Sequence, residues 1–224
     1  MEYRVEDKYF ITYDMMEYLR VRLKEVMDPD EHSADGTYLI RSIYFDDFKD
    51  SCLDENEAGV SKREKFRIRT YNNDPSFIRL ELKKKENGRC AKESVAIDRE
   101  TVLKILKREN RIDQDSPFLM KKFWTQQRTG LLRPVNIVEY ERSAFVEPNG
   151  NVRITFDQNI GTGTDTGLFF ERQIGAIPIL PMGMHILEVK YDEFLPDTIR
   201  DVLNIGSLQR IAYSKYYYSR RESI

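Results

Sequence analysis

The sequence contains few of the residues that stabilise small secreted domains or build zinc centres. It has two cysteines, Cys52 and Cys90, two histidines and one tryptophan among 224 residues. Two cysteines give neither a disulfide framework nor a zinc signature. The N-terminal segment lacks the apolar core of a signal peptide, and no apolar run approaches the length that crosses a bilayer. We therefore expect a reduced, cytoplasmic protein without direct membrane insertion. A membrane-protein partner is left open.

Overall basicity is also absent, because 36 Lys and Arg are balanced by 38 Asp and Glu. Global charge therefore gives no indication of nucleic-acid binding. Positive charge is nevertheless concentrated locally: residues 62–92 contain 11 Lys and Arg against 4 Asp and Glu, which leaves 25 against 34 elsewhere. Such a concentration can attract an anionic ligand.

A hydrophobic content of 40% is enough for a sizeable core. The 13 Tyr and 12 Phe residues favour β-sheet.

Eight segments are rich in strand-forming residues, and most alternate polar with apolar side chains as half-buried strands do. The predicted strands cover residues 3–11, 37–47, 64–71, 77–85, 89–97, 134–147, 152–158 and 184–192. Helices are predicted at about 14–27, from Asp98, after Ser116 and at 196–203. Residues 48–61 and 159–175 are expected to be loops, and 213–221 a last strand or a docked segment. Hairpin connections predict an α+β fold, an antiparallel β-barrel with helices outside, in a single domain 1–224.

The polar side chains of these strands share one face, because alternate residues of a strand point the same way. That face includes Glu6 and Lys8, Lys65, Arg67 and Arg69, Arg79, Glu81, Lys83 and Lys85, Lys92, Tyr140 and Arg142, Arg153 and Asp157, and Glu188 and Lys190. One such strand is typical of any sheet with a hydrated face. Six strands with a mostly positive face are unusual, because like charges on neighbouring strands repel. Inside a closed barrel they favour a bound polyanion.

The residue types on this face suit phosphate. Arg offers planar bidentate contacts and Lys a point charge. The acids among them, Glu6, Glu81 and Glu188, could hold a divalent metal, since Mg²⁺ typically binds through one or two carboxylates plus phosphate oxygens. The alternative for each acid is an ion pair with a neighbouring Lys or Arg.

Eight short segments extend these observations along the whole chain. They are RVEDKYFI (4–11), SIYFDD (42–47), KFRIRTY (65–71), LELKKK (80–85), YER (140–142), RITFD (153–157), ILEVKYD (186–192) and YSKY (213–216). As an ordered set they resemble the VTC-type polyphosphate polymerase domain, named for the vacuolar transporter chaperone complex, of the triphosphate tunnel metalloenzyme (CYTH-like) superfamily. The resemblance implies an eight-stranded antiparallel tunnel that binds a linear triphosphate or polyphosphate with Mn²⁺ or Mg²⁺.

The resemblance also implies a set of site residues. The phosphate-binding cations are Lys8, Arg67, Arg69, Lys83, Lys92, Arg142 and Arg153, with Lys215 near the tunnel end. Tyr140 and Ser214 add hydrogen bonds to phosphate, and Glu188 binds the metal. We add Lys190 as a phosphate-binding candidate and Glu6 as a second metal candidate. Lys8, Arg67, Arg69, Lys83, Arg142 and Arg153 are also predicted to be catalytic, whereas the role of Lys65 is open.

Two positions depart from the family pattern. The superfamily begins with Glu-x-Glu-x-Lys, whereas this chain has Arg4, Glu6 and Lys8, which fits the VTC branch better. Ala212 stands where polymerases can carry a further Lys.

The basic face and the family resemblance together give the main hypothesis, which is metal-dependent phosphoryl transfer that makes polyphosphate from ATP. The alternatives are an inorganic tripolyphosphatase or nucleoside triphosphatase, and a non-enzymatic sensor of polyphosphate or nucleotides.

Other features of the sequence support weaker interpretations. RNA binding is disfavoured, because stacking aromatics are not interleaved with the basic residues. The glycine-rich stretch 161–167 lacks the Lys-Ser/Thr ending of a P-loop and is expected to be a loop at the tunnel mouth. His32 and His185 are interpreted as structural or exposed.

Overall fold

The computed structural model describes residues 3–33, 36–204 and 208–222. Their strands are β1 (Val5–Thr12), β2 (Asp28–Pro29), β3 (Tyr38–Asp46), β4 (Arg63–Tyr71), β5 (Ile78–Glu86), β6 (Arg89–Ile97), β7 (Arg133–Glu147), β8 (Val152–Gly163), β9 (Ile177–Pro178) and β10 (Met184–Tyr191). Their α-helices are α1 (Tyr13–Leu23), α2 (Ser51–Glu57), α3 (Arg99–Leu106), α4 (Phe118–Thr129), α5 (Asp197–Leu203) and α6 (Lys215–Arg221). None of these helices is long and apolar enough to cross a membrane.

The eight long strands form one antiparallel sheet in the order β1-β10-β8-β7-β3-β4-β5-β6. Its two edges meet where Arg4 and Cys90 exchange two backbone hydrogen bonds of 2.9 Å. This contact closes the curled sheet at one end. The predicted α+β fold with an eight-stranded antiparallel barrel is therefore confirmed.

Helices cover the outer face of the barrel because that face carries the apolar residues of the strands. Phe123 of α4 packs edge-on against Phe45 and Phe66, with ring centroids 5.0 and 5.1 Å apart. On the opposite side, buried leucines of α1 and residues of α5 pack against β1, β8 and β10. Burying each large apolar side chain contributes about 1.5–3 kcal/mol. The outer face therefore holds the core, and the polar face turns inward.

Helix α1 differs from its prediction at both ends. It begins at Tyr13, and Thr12 is its N-cap, whose Oγ1 accepts a 3.3 Å hydrogen bond from the Met15 amide. Asp14 therefore lies in the first turn of the helix rather than at its N-cap. The helix ends at Leu23 rather than near Met27.

Two segments that were expected to be loops contain regular structure, and the tail follows one of its two predicted alternatives. Residues 48–61 contain α2, and the tail is a docked segment that forms α6 rather than a strand. The glycine-rich segment continues β8 to Gly163, followed by a 3-10 turn at Thr166–Phe170. The glycines there permit close packing: a Cβ on Gly161 would lie 3.0 Å from the Cβ of Ala176, and one on Gly163 3.0 Å from the Ile174 carbonyl.

Candidate functional site

The inward face of the barrel surrounds a cavity of about 540 Å³. The predicted site residues among its lining are Glu6, Lys8, Arg67, Arg69, Lys83, Tyr140, Arg142, Glu188, Lys190, Ser214 and Lys215. They come from β1, β4, β5, β7, β10 and the start of α6. The alternation of side chains along each strand is what brings them to the same face.

Two carboxylates lie at the centre of this lining, on the paired strands β1 and β10. Glu6 contacts Lys83 at 2.7 Å, Lys8 at 3.1 Å and Lys190 at 3.6 Å. Glu188 contacts Lys8 at 3.5 Å and also pairs with Lys190. Lys8 and Lys190 therefore bridge the two carboxylates.

These lysines keep both acids ionised. Burial and the charge of Glu188 oppose ionisation of Glu6, but Lys83, Lys8 and Lys190 outweigh them and hold its pKa well below the usual range. Burial likewise opposes ionisation of Glu188, and its pKa is held well below the usual range chiefly by Lys190 and Lys8. Each acid is therefore a permanent negative charge at neutral pH.

The β4 arginines differ in their partners. The Arg67 Nε donates to Glu81 at 2.7 Å, and Glu81 also accepts from Lys92 at 2.9 Å. The guanidinium of Arg69 instead donates to two neutral oxygens, Ser42 Oγ and the Tyr140 hydroxyl, both at 3.1 Å. Arg69 is thus buried without a carboxylate contact among the described residues.

Asp157, on β8, pairs with two further cations of the cavity lining. Arg142 forms a bidentate pair with Asp157 at 2.5 and 2.7 Å, the fork geometry that guanidinium groups favour. Lys215 reaches the same Asp157 at 2.5 Å and lies 4.8 Å from the centre of the Tyr140 ring. The first residue of α6 is thereby fixed inside the barrel.

Two predicted phosphate-binding residues do not line the cavity. Lys92 contacts Glu81, and its side chain is 49% exposed. Arg153 donates to Asp30 at 2.7 Å and to the Tyr38 hydroxyl at 3.1 Å. Phosphate binding by either residue stays a prediction.

Sequence reasoning missed Tyr44, which also lines the cavity. Its hydroxyl accepts a 3.4 Å hydrogen bond from Arg67. Burial raises its pKa, but Arg67, Arg69 and Lys65 outweigh burial and lower the pKa to about 7. Sequence alternation could not identify Tyr44, because β3 is buried almost throughout and shows little alternation of polar and apolar residues.

Glu6 and Glu188 fit the protein share of a divalent-metal site. They are adjacent, ionised and turned into the cavity, and Mg²⁺ commonly takes one or two protein carboxylates and completes its shell with phosphate and water oxygens. Among the described residues there is no group of three or more His, Cys, Asp or Glu side chains arranged for a metal. A metal here would therefore need oxygens from a ligand or water.

Comparison with solved structures identifies proteins of the same fold. PH1819 protein from Pyrococcus horikoshii OT3 is 15% identical, with a TM-score of 0.51 and 98% of both chains covered. A Bacillus halodurans protein described as a candidate adenylate cyclase is 12% identical, with a TM-score of 0.51 over 95% of this chain and 94% of that chain. At such identities the likeness shows the fold alone. No curated protein matched the chain.

Comparison with family models gives a more specific result. The model described as the VTC domain matches residues 3–222. The match covers the barrel, the cavity lining and α6 together. The resemblance that the ordered segments indicated is thus confirmed, and the chain belongs to the VTC domain family.

Proposed function

We propose that the protein transfers a phosphoryl group from a triphosphate bound in the cavity, and that it synthesises polyphosphate from ATP. Membership of the VTC domain family supports the general statement of this proposal, a function in phosphoryl transfer on triphosphates. The observation that carries the proposal is the convergence of cations from separate strands on one cavity, among them Arg69, which contacts no carboxylate of the described residues. A site of this kind catalyses mainly by positioning and by charge stabilisation.

The arginines of β4 would bind the phosphate chain first. A guanidinium has five N–H donors, and the described contacts of Arg69 use only two of its nitrogens. Arg67 keeps donors beyond its bond to Glu81, so both residues can offer planar, bidentate contacts to phosphate oxygens. We propose that they orient the chain and stabilise negative charge on its oxygens.

The lysines around Glu6 and Glu188 would donate hydrogen bonds to the phosphate while they keep their contacts with the acids. Lys8, Lys83 and Lys190 are held by carboxylates, and each ammonium has three donors, so a phosphate can share it with its acid. Glu188 and Glu6 would hold the Mn²⁺ or Mg²⁺ that the family resemblance implies, whose chemistry is to neutralise charge on the phosphate oxygens.

Hydrolysis is the second candidate, and one observation favours it. Ala212 lines the cavity at the position where polymerases can carry a lysine. With one cation fewer, an incoming phosphate or polyphosphate acceptor would be held less well, and water could attack instead. The same residues would then make the protein a tripolyphosphatase or nucleoside triphosphatase.

The test incubates the purified protein with ATP and Mn²⁺ and follows released phosphate together with polyphosphate chains on a gel. Chains without matching free phosphate support synthesis, and phosphate alone supports hydrolysis. If ATP binds but neither product forms, the protein is a sensor. Arg67→Ala with Arg69→Ala should abolish either activity, whereas Lys104→Ala, on the exposed surface of α3, should not. Full turnover by Glu188→Ala with metal present would contradict the metal role.

A further inference from the structure

Lys65 is a cavity lysine whose contacts differ from those of its neighbours. Lys8, Lys83 and Lys190 each contact Glu6. Lys65 has no carboxylate within ion-pair distance among the described residues. Its Nζ donates to Ser214 Oγ at 3.0 Å and lies 5.4 Å from the centre of the Tyr216 ring. An ammonium has three donors, so two remain available to a ligand.

Ser214 complements this free lysine. It is the N-cap of α6, and its Oγ accepts from Lys65 Nζ and, at 3.4 Å, from the Tyr217 amide. An oxygen that accepts twice leaves the hydroxyl proton for donation, and no acceptor for it is found among the described residues. The two side chains therefore present adjacent, unused donors.

The position of Lys65 along β4 indicates which part of a ligand it would meet. Inward residues two apart on a strand are separated by about 7 Å, so Arg69, Arg67 and Lys65 form a row. Arg69 and Tyr140 are buried at its deep end, whereas the exposed residues 59–61 line the cavity mouth. Lys65 lies on the mouth side of both arginines.

We propose that Lys65 binds the phosphate group of the chain nearest the cavity mouth, together with Ser214, whose hydrogen bond to phosphate the family resemblance already implies. The proposal rests on the proposed function, since it places the outer end of a chain whose inner part is held by Arg67 and Arg69. It gives Lys65 a substrate-binding role rather than a structural one. It also makes the site selective for a chain long enough to reach both parts of the row.

The charged and titratable groups around Lys65 couple phosphate binding to proton uptake. It faces the Tyr44 hydroxyl of β3, Lys83 of β5, Lys8 of β1 and the Cys52 thiol near the start of α2. Burial lowers the pKa of Lys65, Tyr44 raises it, and Lys83 and Lys8 lower it again, to about 7. A bound phosphate would raise this pKa, and that of Tyr44 as well. Binding above pH 7 should therefore take up protons, whereas well below pH 7 it should not.

The experiment measures binding of inorganic tripolyphosphate and of pyrophosphate, without nucleotide or metal, by isothermal titration calorimetry. Lys65→Met should weaken tripolyphosphate binding about tenfold, the value of one charge-assisted hydrogen bond. Pyrophosphate, which Arg67 and Arg69 can hold alone, should be affected much less. Lys84→Met is the matched control, because Lys84 is on the outer face of β5 and pairs with Glu93. It should bind both ligands as the wild type does.

A second variant tests the proton linkage. Lys65→Arg keeps the charge at every pH, so it should retain tripolyphosphate affinity and take up fewer protons at pH 8. Proton uptake follows from the binding enthalpy in buffers of different ionisation enthalpy, and the comparison between variants cancels the titration of the ligand itself. Thermal unfolding verifies that each variant is folded. Lys65→Met removes a cation that contacts no carboxylate among the described residues, so it should not lower Tm.

The outcomes separate this subsite from the proposed function. Equal losses for the two ligands, or no loss for either, in a protein that binds tripolyphosphate would overturn the subsite alone. Binding as expected without any turnover of ATP would leave the subsite standing and remove the enzymatic proposal. A wild-type protein that binds no tripolyphosphate would overturn both.

Discussion

At the scale of single residues, buried acids inside the barrel hold cations that would otherwise be buried without counter-charge. Glu81 is buried and receives hydrogen bonds from Arg67 and Lys92. Burial opposes its ionisation, but Arg67, Arg69 and Lys92 hold its pKa far below the usual range. We expect Glu81→Gln to lower the free energy of unfolding by about 3 kcal/mol, because Arg67 loses its only carboxylate contact among the described residues. Urea unfolding measures this change.

The matched control is Glu93→Gln on the outer face of the barrel. Glu93 pairs with Lys84 at 2.8 Å, but Lys84 also contacts Glu64 at 3.7 Å, and these groups are partly hydrated. The loss there should be about 0–1 kcal/mol. Tripolyphosphate should stabilise Glu81→Gln more than the wild type, because it supplies the missing negative charge to Arg67. Similar losses in both variants would contradict the buried ion-pair argument.

Residue-level prediction from sequence found part of the cavity lining where one strand face is polar, although Lys92 and Arg153 lie outside it, and failed where both faces are buried. Alternation identified Arg67, Arg69 and Lys83, and the structure places them in the cavity. Tyr44 was not predicted, because β3 has buried residues on both faces. The sharing of Asp157 by Arg142 and Lys215 could not be found either, because α6 lies far along the chain from β8 and only tertiary packing brings them together.

At the scale of elements, α6 carries Ser214 and Lys215 into the cavity, and a buried hydrogen bond holds it there. The Tyr216 hydroxyl donates to the Asp46 carboxylate, which also accepts from the backbone amides of Cys52 and Leu53. We expect Tyr216→Phe to cost about 1–3 kcal/mol, because part of a buried carboxylate loses its donor. Amides of α6 should exchange with solvent faster, and tripolyphosphate affinity should fall severalfold.

Tyr218→Phe is the control for that change. Tyr218 stacks on Tyr213 with ring centroids 4.6 Å apart, and its hydroxyl has no hydrogen-bond partner among the described residues. Hydrogen exchange and tripolyphosphate affinity should match the wild type. Unaltered exchange in Tyr216→Phe would mean that Lys215 and its pair with Asp157 suffice to dock the helix.

The same contacts explain which elements the sequence could predict. The eight long strands were found because their residue types and hairpin turns are local signals. Helices α2, α5 and α6 have seven residues each, too few to be stable without tertiary contacts, and only α5 was predicted from the sequence. The tyrosines of α6 favour a strand by propensity, and packing against Asp46 and Asp50 overrides that preference.

At the scale of the whole molecule, stability depends on pH through groups gathered by barrel closure. Pairing of β1 with β10 joins residues from opposite ends of the chain, which no local pattern specifies. The pKa values of Glu6, Glu188, Glu81 and Asp157 are all lowered in the folded state. Their ion pairs therefore contribute above the unfolded values of about 4, and the contribution is lost as pH falls toward the folded values.

The basic side of the profile should show an unusual rise in stability. The folded pKa values of Tyr44 and Lys65 are both about 7, whereas the unfolded values are about 10 and 10.4. Above pH 7 the unfolded chain therefore binds more protons than the folded one, and stability increases with pH. We expect the free energy of unfolding to rise by about 2 kcal/mol from pH 7 to pH 8, which is about 1 kcal/mol for each of the two groups. Higher pH is less informative, because burial raises the pKa of the Cys52 thiol and opposes the trend.

Urea unfolding of the ligand-free protein at several pH values between 7 and 8 measures this slope. The double variant Tyr44→Phe with Lys65→Arg removes both titrating groups, so its slope should be close to zero whatever its absolute stability. Saturating tripolyphosphate should add less stability at pH 8 than at pH 7 in the wild type, because its affinity falls as Lys65 loses its proton. A ligand-free wild-type slope as flat as that of the double variant would show that Tyr44 and Lys65 titrate normally, and that the mouth of the cavity carries its full positive charge before any phosphate binds.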